Sequence, residues 1–343
     1  MEQIIKLINN RENFILVGHT SPDGDSIGSC FGLAFALEKL GKHVKVILEP
    51  YPHKYHIVPG RHFLLNELEN IADIDVLIAL DCADVQRLGH TQPLFNRAKT
   101  TVCIDHHKTN PGFAQFNHIE PQTSSTSEIV FRLIQQLYTS TSKASSQEYE
   151  IDTNIASAIY AGMVSDTGGF RYSSTSKVTM KIAAELIDTG IPFTEIYNEV
   201  MHKHSFGGAK AKGVVLQNAM VIADGRIIYS YISRETLVKL GAYASDLDGV
   251  IEYLVDTRGT QMAMLAYEKV TTPNICPNTN EPTVKVSFRS QGPDVGAVAT
   301  ALGGGGHQLA AGCTIIGDIE TAIAQALPLL ERELAIYNGN GHK

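Results

Sequence analysis

Three β-rich runs of strand length stop directly at a polar side chain. "NFILVG" (13–18) ends at His19, "DVLIAL" (75–80) at Asp81 and "TVCI" (101–104) at Asp105. "HVKVIL" (43–48) is a fourth such run, and helical stretches at 26–40, 125–138 and 153–164 lie between and after them. Strands alternating with helices predict an α/β fold, with a mostly parallel sheet flanked by helices. In open sheets of this kind, ligand sites form just beyond the carboxyl ends of the strands. The polar residues therefore stand where a site belongs.

The chain has 343 residues, enough for two domains. The parallel pattern fills residues 1–188. Helical pieces around "HKHSFGGAKAKG" then read as a linker over 189–213. Strand-like runs at 223–232, 261–270 and 283–290 predict a smaller α+β domain over 214–337, with a disordered tail at 338–343. "TTPNICPNTNEP" (271–282) reads as an extended loop.

In the first domain, four polar clusters carry the chemistry: His19, Asp23 and Asp25 in "GHTSPDGDSIGS", Asp81 in "ALDCAD", Asp105, His106 and His107 in "CIDHHKTN", and Asp166 in "GMVSDTGGFRYSS". Each alone has an ordinary structural reading, because Asp is common in turns and Asp25 suits a helix cap. Gathered at one sheet edge they would repel: two like charges ~4 Å apart cost about 4 kcal/mol at an effective dielectric of 20. Several such contacts would consume much of a typical stability of about 5–15 kcal/mol. Two divalent cations would balance the carboxylates of Asp23, Asp25, Asp81 and Asp166. Imidazole with carboxylate and no thiolate suits manganese, magnesium, zinc or ferrous iron.

Together these four motifs resemble, in order, those of the DHH phosphoesterase superfamily. The resemblance implies one metal on His19, Asp23 and Asp81, and a second on Asp25, Asp81, His106 and Asp166, with Asp81 bridging and manganese the expected ion. It also implies that Asp105 orients His106, that His107 donates to a substrate phosphate oxygen, and that a hydroxide between the metals attacks. His107, Asp105 and Asp81 are accordingly the expected catalytic residues.

The C-terminal half carries "VKVSFRSQGPDVGAVATALGGGGHQLAAGC" (284–313). Four glycines before His307 read either as a helix end and turn or as bare backbone approaching an anion. Arg289 reads either as a surface ion pair or as a bidentate phosphate ligand. The segment resembles the DHHA1 domain, which implies a substrate-binding set of Arg289, Ser290, Gly304, Gly305, Gly306 and His307. Against that family's pattern, the 271–282 loop is long, and Pro293 and Gly296 interrupt a segment that is usually more regular. The two domains together resemble stand-alone bacterial DHH/DHHA1 proteins of the NrnA type. That implies hydrolysis of very short oligoribonucleotides to mononucleotides and of pAp to AMP, in a cleft between the domains. A cyclic or linear dinucleotide phosphodiesterase and a manganese pyrophosphatase are the alternatives from the same chemistry. A non-catalytic nucleotide-binding module is the alternative from another class.

The net charge of −8 argues against a general affinity for long nucleic acid. Five cysteines without a CxxC read as reduced thiols. No run approaches eighteen apolar residues, and the first residues lack a signal-peptide core, so a cytoplasmic enzyme without a membrane partner is expected. A homodimer is compatible with the sequence.

Overall fold

The computed structural model describes residues 1–65, 74–145, 148–268 and 282–339. The chain divides into two compact units, Met1–Lys203 and His204–Lys343. Among the described residues, no helix is long and apolar enough to cross a membrane.

The first unit contains α1 (Glu2–Asn10), β1 (Asn13–Val17), α2 (Gly24–Lys39), β2 (His43–Ile47), β3 (Val76–Leu80), α3 (Gln92–Arg97), β4 (Thr100–Asp105), β5 (Phe116–Ile119), α4 (Thr126–Ser145), α5 (Thr153–Asp166), α6 (Lys177–Asp188) and α7 (Phe193–Met201). Its sheet has the order β2-β1-β3-β4-β5, and every pairing is parallel. One face buries the larger core, which includes Leu16, Ile78 and Ile104 from the strands and Phe31, Ile134 and Ile159 from helices. The other face is covered more thinly, by Leu88, Leu94 and Phe95. From β1 the chain steps outward to β2, then returns to the far side of β1 with β3. The ends of β1 and β3 thus form the switch point at which such sheets hold ligands.

Packing of α2 against α5 decides which side chains meet there. A methyl group at Gly28 on α2 would run into the Ala158 carbonyl and the backbone of Gly162 on α5. This close approach brings the start of α2, with Asp25, beside the end of α5, with Asp166. Gly28→Ala is expected to destabilise the protein by about 1–3 kcal/mol, and the urea midpoint measures it. An unchanged midpoint would mean that the helices can separate without loss.

The second unit contains α8 (Phe206–Gln217), β6 (Met220–Ile222), β7 (Ile227–Ile232), α9 (Arg234–Leu240), α10 (Val250–Val255), β8 (Met262–Glu268), β9 (Thr283–Ser290), α11 (Val295–Ala301), β10 (Gly305–His307), β11 (Ala310–Ile316) and α12 (Ile319–Gly339). Its sheet has the order β10-β11-β9-β8-β7-β6 and is mixed, with only β7 and β8 parallel. One face carries Met264, Val286, Phe288 and Cys313 onto α11 and α12. The other carries Ile228, Ala263 and Leu265 onto residues of α8, α9 and α10.

Several details depart from the sequence reading. The run at 223–232 is broken, because Ala223 and Asp224 turn the chain with positive φ between β6 and β7. Asp294 caps α11, so Pro293 and Gly296 do not prevent a regular helix. Helix α12 runs through Gly339, into the segment expected to be a tail. Most of the 271–282 loop, with Cys276, lies outside the described residues.

Candidate active site

His19 follows β1, Asp81 follows β3 and Asp105 closes β4, so three parallel strands deliver three polar side chains to one sheet edge. Asp81 takes a left-handed backbone conformation, φ 60°. Aspartate tolerates that conformation better than most residues, and its presence at a strand end marks a constrained position.

The two carboxylate oxygens of Asp81 face different partners. Oδ2 lies 3.5 Å from His19 Nε2, and Oδ1 lies 3.7 Å from His106 Nε2. Asp23 Oδ1 stands 3.7 Å from His19 Nε2, while Asp166 Oδ2 and Asp25 Oδ2 stand 3.4 Å and 4.0 Å from His106 Nε2. Potential ligand atoms of His19, Asp23 and Asp81 lie within 4.8 Å of one another, and the same holds for Asp25, His106 and Asp166. Asp81, His106 and His107 form a third such group.

Asp23, rather than Asp25, caps α2, accepting from the Asp25 and Ser26 N–H groups. Asp25 lies inside the first turn, fully buried. Its oxygens accept from the Thr126 and Ser127 N–H groups at 2.6 and 2.8 Å, at the start of α4. A helix N-terminus is a good partner for a carboxylate. Even so, burial first and the charge on Asp81 second push the Asp25 carboxyl up to about 7. Burial, with Asp25 and Asp81 beside it, also holds Asp166 well above the usual carboxylate range.

Asp105 is fully buried, and its Oδ1 takes two N–H groups. One is the His106 backbone N–H at 2.9 Å; the other is His107 Nδ1 at 2.7 Å. It therefore orients the His107 ring and holds only the main chain of His106. The other oxygen accepts from Asn110 Nδ2 at 2.7 Å. Burial opposes charge on His107, but the bond to Asp105 and the nearby Asp81 outweigh it and raise its pKa. With Nδ1–H given to Asp105, Nε2 is the nitrogen left for a ligand.

At His19, Nδ1 lies 2.8 Å from the Thr20 carbonyl and 2.9 Å from Arg87 Nη2. Donation to Thr20 leaves Nε2 free as a ligand; acceptance from Arg87 puts the proton on Nε2. Sequence reading singled out none of Arg87, Asn110, Thr126 or Ser127. Arg87 and Asn110 stand within or just beyond the quoted motifs, whereas Thr126 and Ser127 carried only a helix-start signal.

The donor set suits hard or borderline divalent ions, because all its ligand atoms are nitrogen or oxygen. The neighbouring thiols do not compete. Burial, with nearby carboxylates, raises Cys30 and Cys82 strongly and pushes Cys103 up to about 12, so all three stay protonated. Asp81 belongs to two of the ligand groups, one with His19 and Asp23 and one with His106 and His107, whereas the group of Asp25, His106 and Asp166 does not include it.

In the second unit, the register runs His307–Ala310–Arg289 across β10, β11 and β9. Paired residues share a face, so Arg289 and His307 lie on one side, about 10 Å apart at two strand spacings. Ser290 points to the opposite face, where it is buried and its hydroxyl accepts from the Gly292 N–H. The Ser290 side chain thus lies on the face opposite those of Arg289 and His307. A side chain at Gly304 would strike Gly312 and Cys313, and Gly306 is pressed equally closely against β11. Gly305 has open space around it, so packing does not explain that glycine.

Comparison with known proteins adds the following. The N-terminal domain of the DHH family matches residues 13–163, and the DHHA1 domain matches residues 224–335. A bifunctional oligoribonuclease and PAP phosphatase, NrnA, from Thermus thermophilus is 29% identical over 92% of this chain and 88% of its own length. An uncharacterised protein from Mycoplasma pneumoniae is 30% identical over 88% of this chain and 85% of its own. The crystal structure of an exopolyphosphatase-related protein from Bacteroides fragilis superposes with a TM-score of 0.86 at 27% identity, covering 98% and 97% of the two chains.

Proposed function

This chain belongs to the DHH family, with a DHHA1 domain following, and we propose that it hydrolyses very short oligoribonucleotides to 5′-mononucleotides and removes the 3′-phosphate of pAp. Both are phosphoester hydrolyses at one centre. The observation that carries the reading is the Asp81 carboxylate, one oxygen toward His19 and the other toward His106. The NrnA relative is named for both activities over nearly the same length of chain.

In this reading, His19, Asp23 and Asp81 hold one divalent ion, and Asp25, Asp81, His106 and Asp166 hold the other, with manganese the ion proposed. Bound there, the ions supply charge neutralisation and Lewis acidity at the phosphoryl group. Asp105 fixes the His107 ring through Nδ1, and against the cost of burial this bond raises the pKa of His107. His107 Nε2–H then donates to a phosphoryl oxygen as charge grows on it. The Thr126 and Ser127 N–H groups hold Asp25 in place through the cycle. In the second unit, Arg289 and His307 grip a terminal phosphate, and the open space at Gly305 lets that phosphate approach bare backbone. Short substrates suit a chain of net charge −8, because local cations rather than a broad basic face must hold them.

Purified protein supplied with manganese and given pApA, pGpG, pAp, cyclic di-AMP, pyrophosphate and a long single-stranded RNA tests the proposal. The linear dinucleotides and pAp are expected to have the highest kcat/KM, with the long RNA left intact. A preference for cyclic di-AMP or pyrophosphate would overturn it.

A further inference from the structure

Glu252 on α10 sits beside the anion-binding residues of the second unit, and the reaction above leaves it without a role. Its Oε1 accepts from Arg289 Nε at 3.0 Å, and Arg289 Nη1 donates to the Phe288 carbonyl at 3.0 Å. Glu252 Oε2 is buried and has no hydrogen-bond partner among the described residues. Arginine–carboxylate pairs frequently close side-on, with both oxygens on one guanidinium edge. Here one carboxylate oxygen is left desolvated, and Arg289 Nη2 has no partner among the described residues. The guanidinium is thus tethered at two nitrogens and open at the third. Its side chain remains 35% exposed, on the face it shares with His307.

We propose that Glu252 is a positioning residue that holds the Arg289 fork ready for the terminal phosphate of the substrate; this rests on the reading that Arg289 binds that phosphate. A free arginine side chain carries several rotors whose freedom is lost on binding. Tethering at Nε and Nη1 removes that freedom before the ligand arrives. Charge alone would predict the reverse, because a carboxylate next to an anion site weakens attraction. The two roles therefore differ in sign. If orientation dominates, neutralising Glu252 weakens substrate binding; if charge dominates, it strengthens binding.

Steady-state kinetics of the full-length, manganese-supplied protein on pApA separate them. Glu252→Gln keeps an acceptor for Arg289 Nε but turns a charge-assisted bond into a weaker neutral one, so it is expected to raise KM about fivefold with kcat little changed. Arg289→Ala should raise KM at least as much, and adding E252Q to R289A should raise it no further. Arg289→Lys keeps the charge but not the fork, and it should raise KM with Glu252 intact. That variant also serves if E252Q fails to fold. An unchanged or lowered KM in E252Q, additivity in the double variant, or a wild-type KM in R289K would each overturn the proposal. An unchanged KM in R289A would instead refute phosphate binding by Arg289, and the role of Glu252 would fall with it.

Discussion

Asp81→Asn is expected to abolish turnover and to strip the protein of metal in the same step. Asparagine tolerates the left-handed backbone at position 81, so the change should leave the fold in place. What it removes is a carboxylate with one oxygen toward His19 and the other toward His106. An amide offers a single oxygen, and its NH₂ group would face one of the two ligand groups. With no anion between them, neither group keeps its charge balance. The expected loss in kcat on pApA is at least about 10³-fold, comparable to removing a group that stabilises transition-state charge. Metal content by plasma mass spectrometry, read beside the melting temperature, checks the cause. Retained activity with full metal occupancy would remove Asp81 from the shared position.

The second large effect is the dependence of metal stabilisation on pH. In the metal-free protein, burial and the neighbouring charge on Asp81 raise the Asp25 carboxyl from 3.8 to about 7. Asp166 shifts in the same direction. Burial alone would lower His19, but Asp23 and Asp81 outweigh it and raise its pKa from 6.5 to about 10. In every case the folded state holds a proton that the unfolded chain releases at lower pH. The contribution of Asp25 is complete below its unfolded value near 3.8 and is lost as pH rises through 7; that of His19 is complete below 6.5 and lost toward 10. Metal-free protein should therefore lose stability steadily from mildly acidic to alkaline pH. Divalent ions replace those protons, so they bind more tightly as pH rises. At a hundredfold excess of free ion over its Kd, binding adds about 2.7 kcal/mol. The gap in melting temperature between manganese-loaded and chelated protein should be wider at pH 8 than at pH 6. A gap that stays flat or narrows would contradict this electrostatic account.

The parallel sheet and the clustered acidic and histidine side chains were legible because each ends a strand or lies in a short motif that keeps its local meaning. Contacts set by distant packing were not. Asp25 looks like a helix cap in sequence, yet its partners are N–H groups about a hundred residues later, brought close by α4. The target of Asp105 was misplaced because two adjacent histidines are equivalent in sequence, and only the strand-end geometry aims one ring at it. The setting of Ser290 was within reach, since alternation along β9 puts it opposite Arg289. Strands β5 and β10 were not legible. β10 is Gly-Gly-His, which has little strand propensity of its own and exists by pairing with β11. Glu252 carried no sequence signal at all, because its meaning lies in the one oxygen that bonds Arg289 and the one that bonds nothing.

The most direct test of the central claim is anomalous diffraction at the manganese edge, from crystals grown with that ion. Two peaks should flank the Asp81 carboxylate, one beside His19 and Asp23, the other beside Asp25, His106 and Asp166. Density at neither position, or ions bound only away from Asp81, would contradict it.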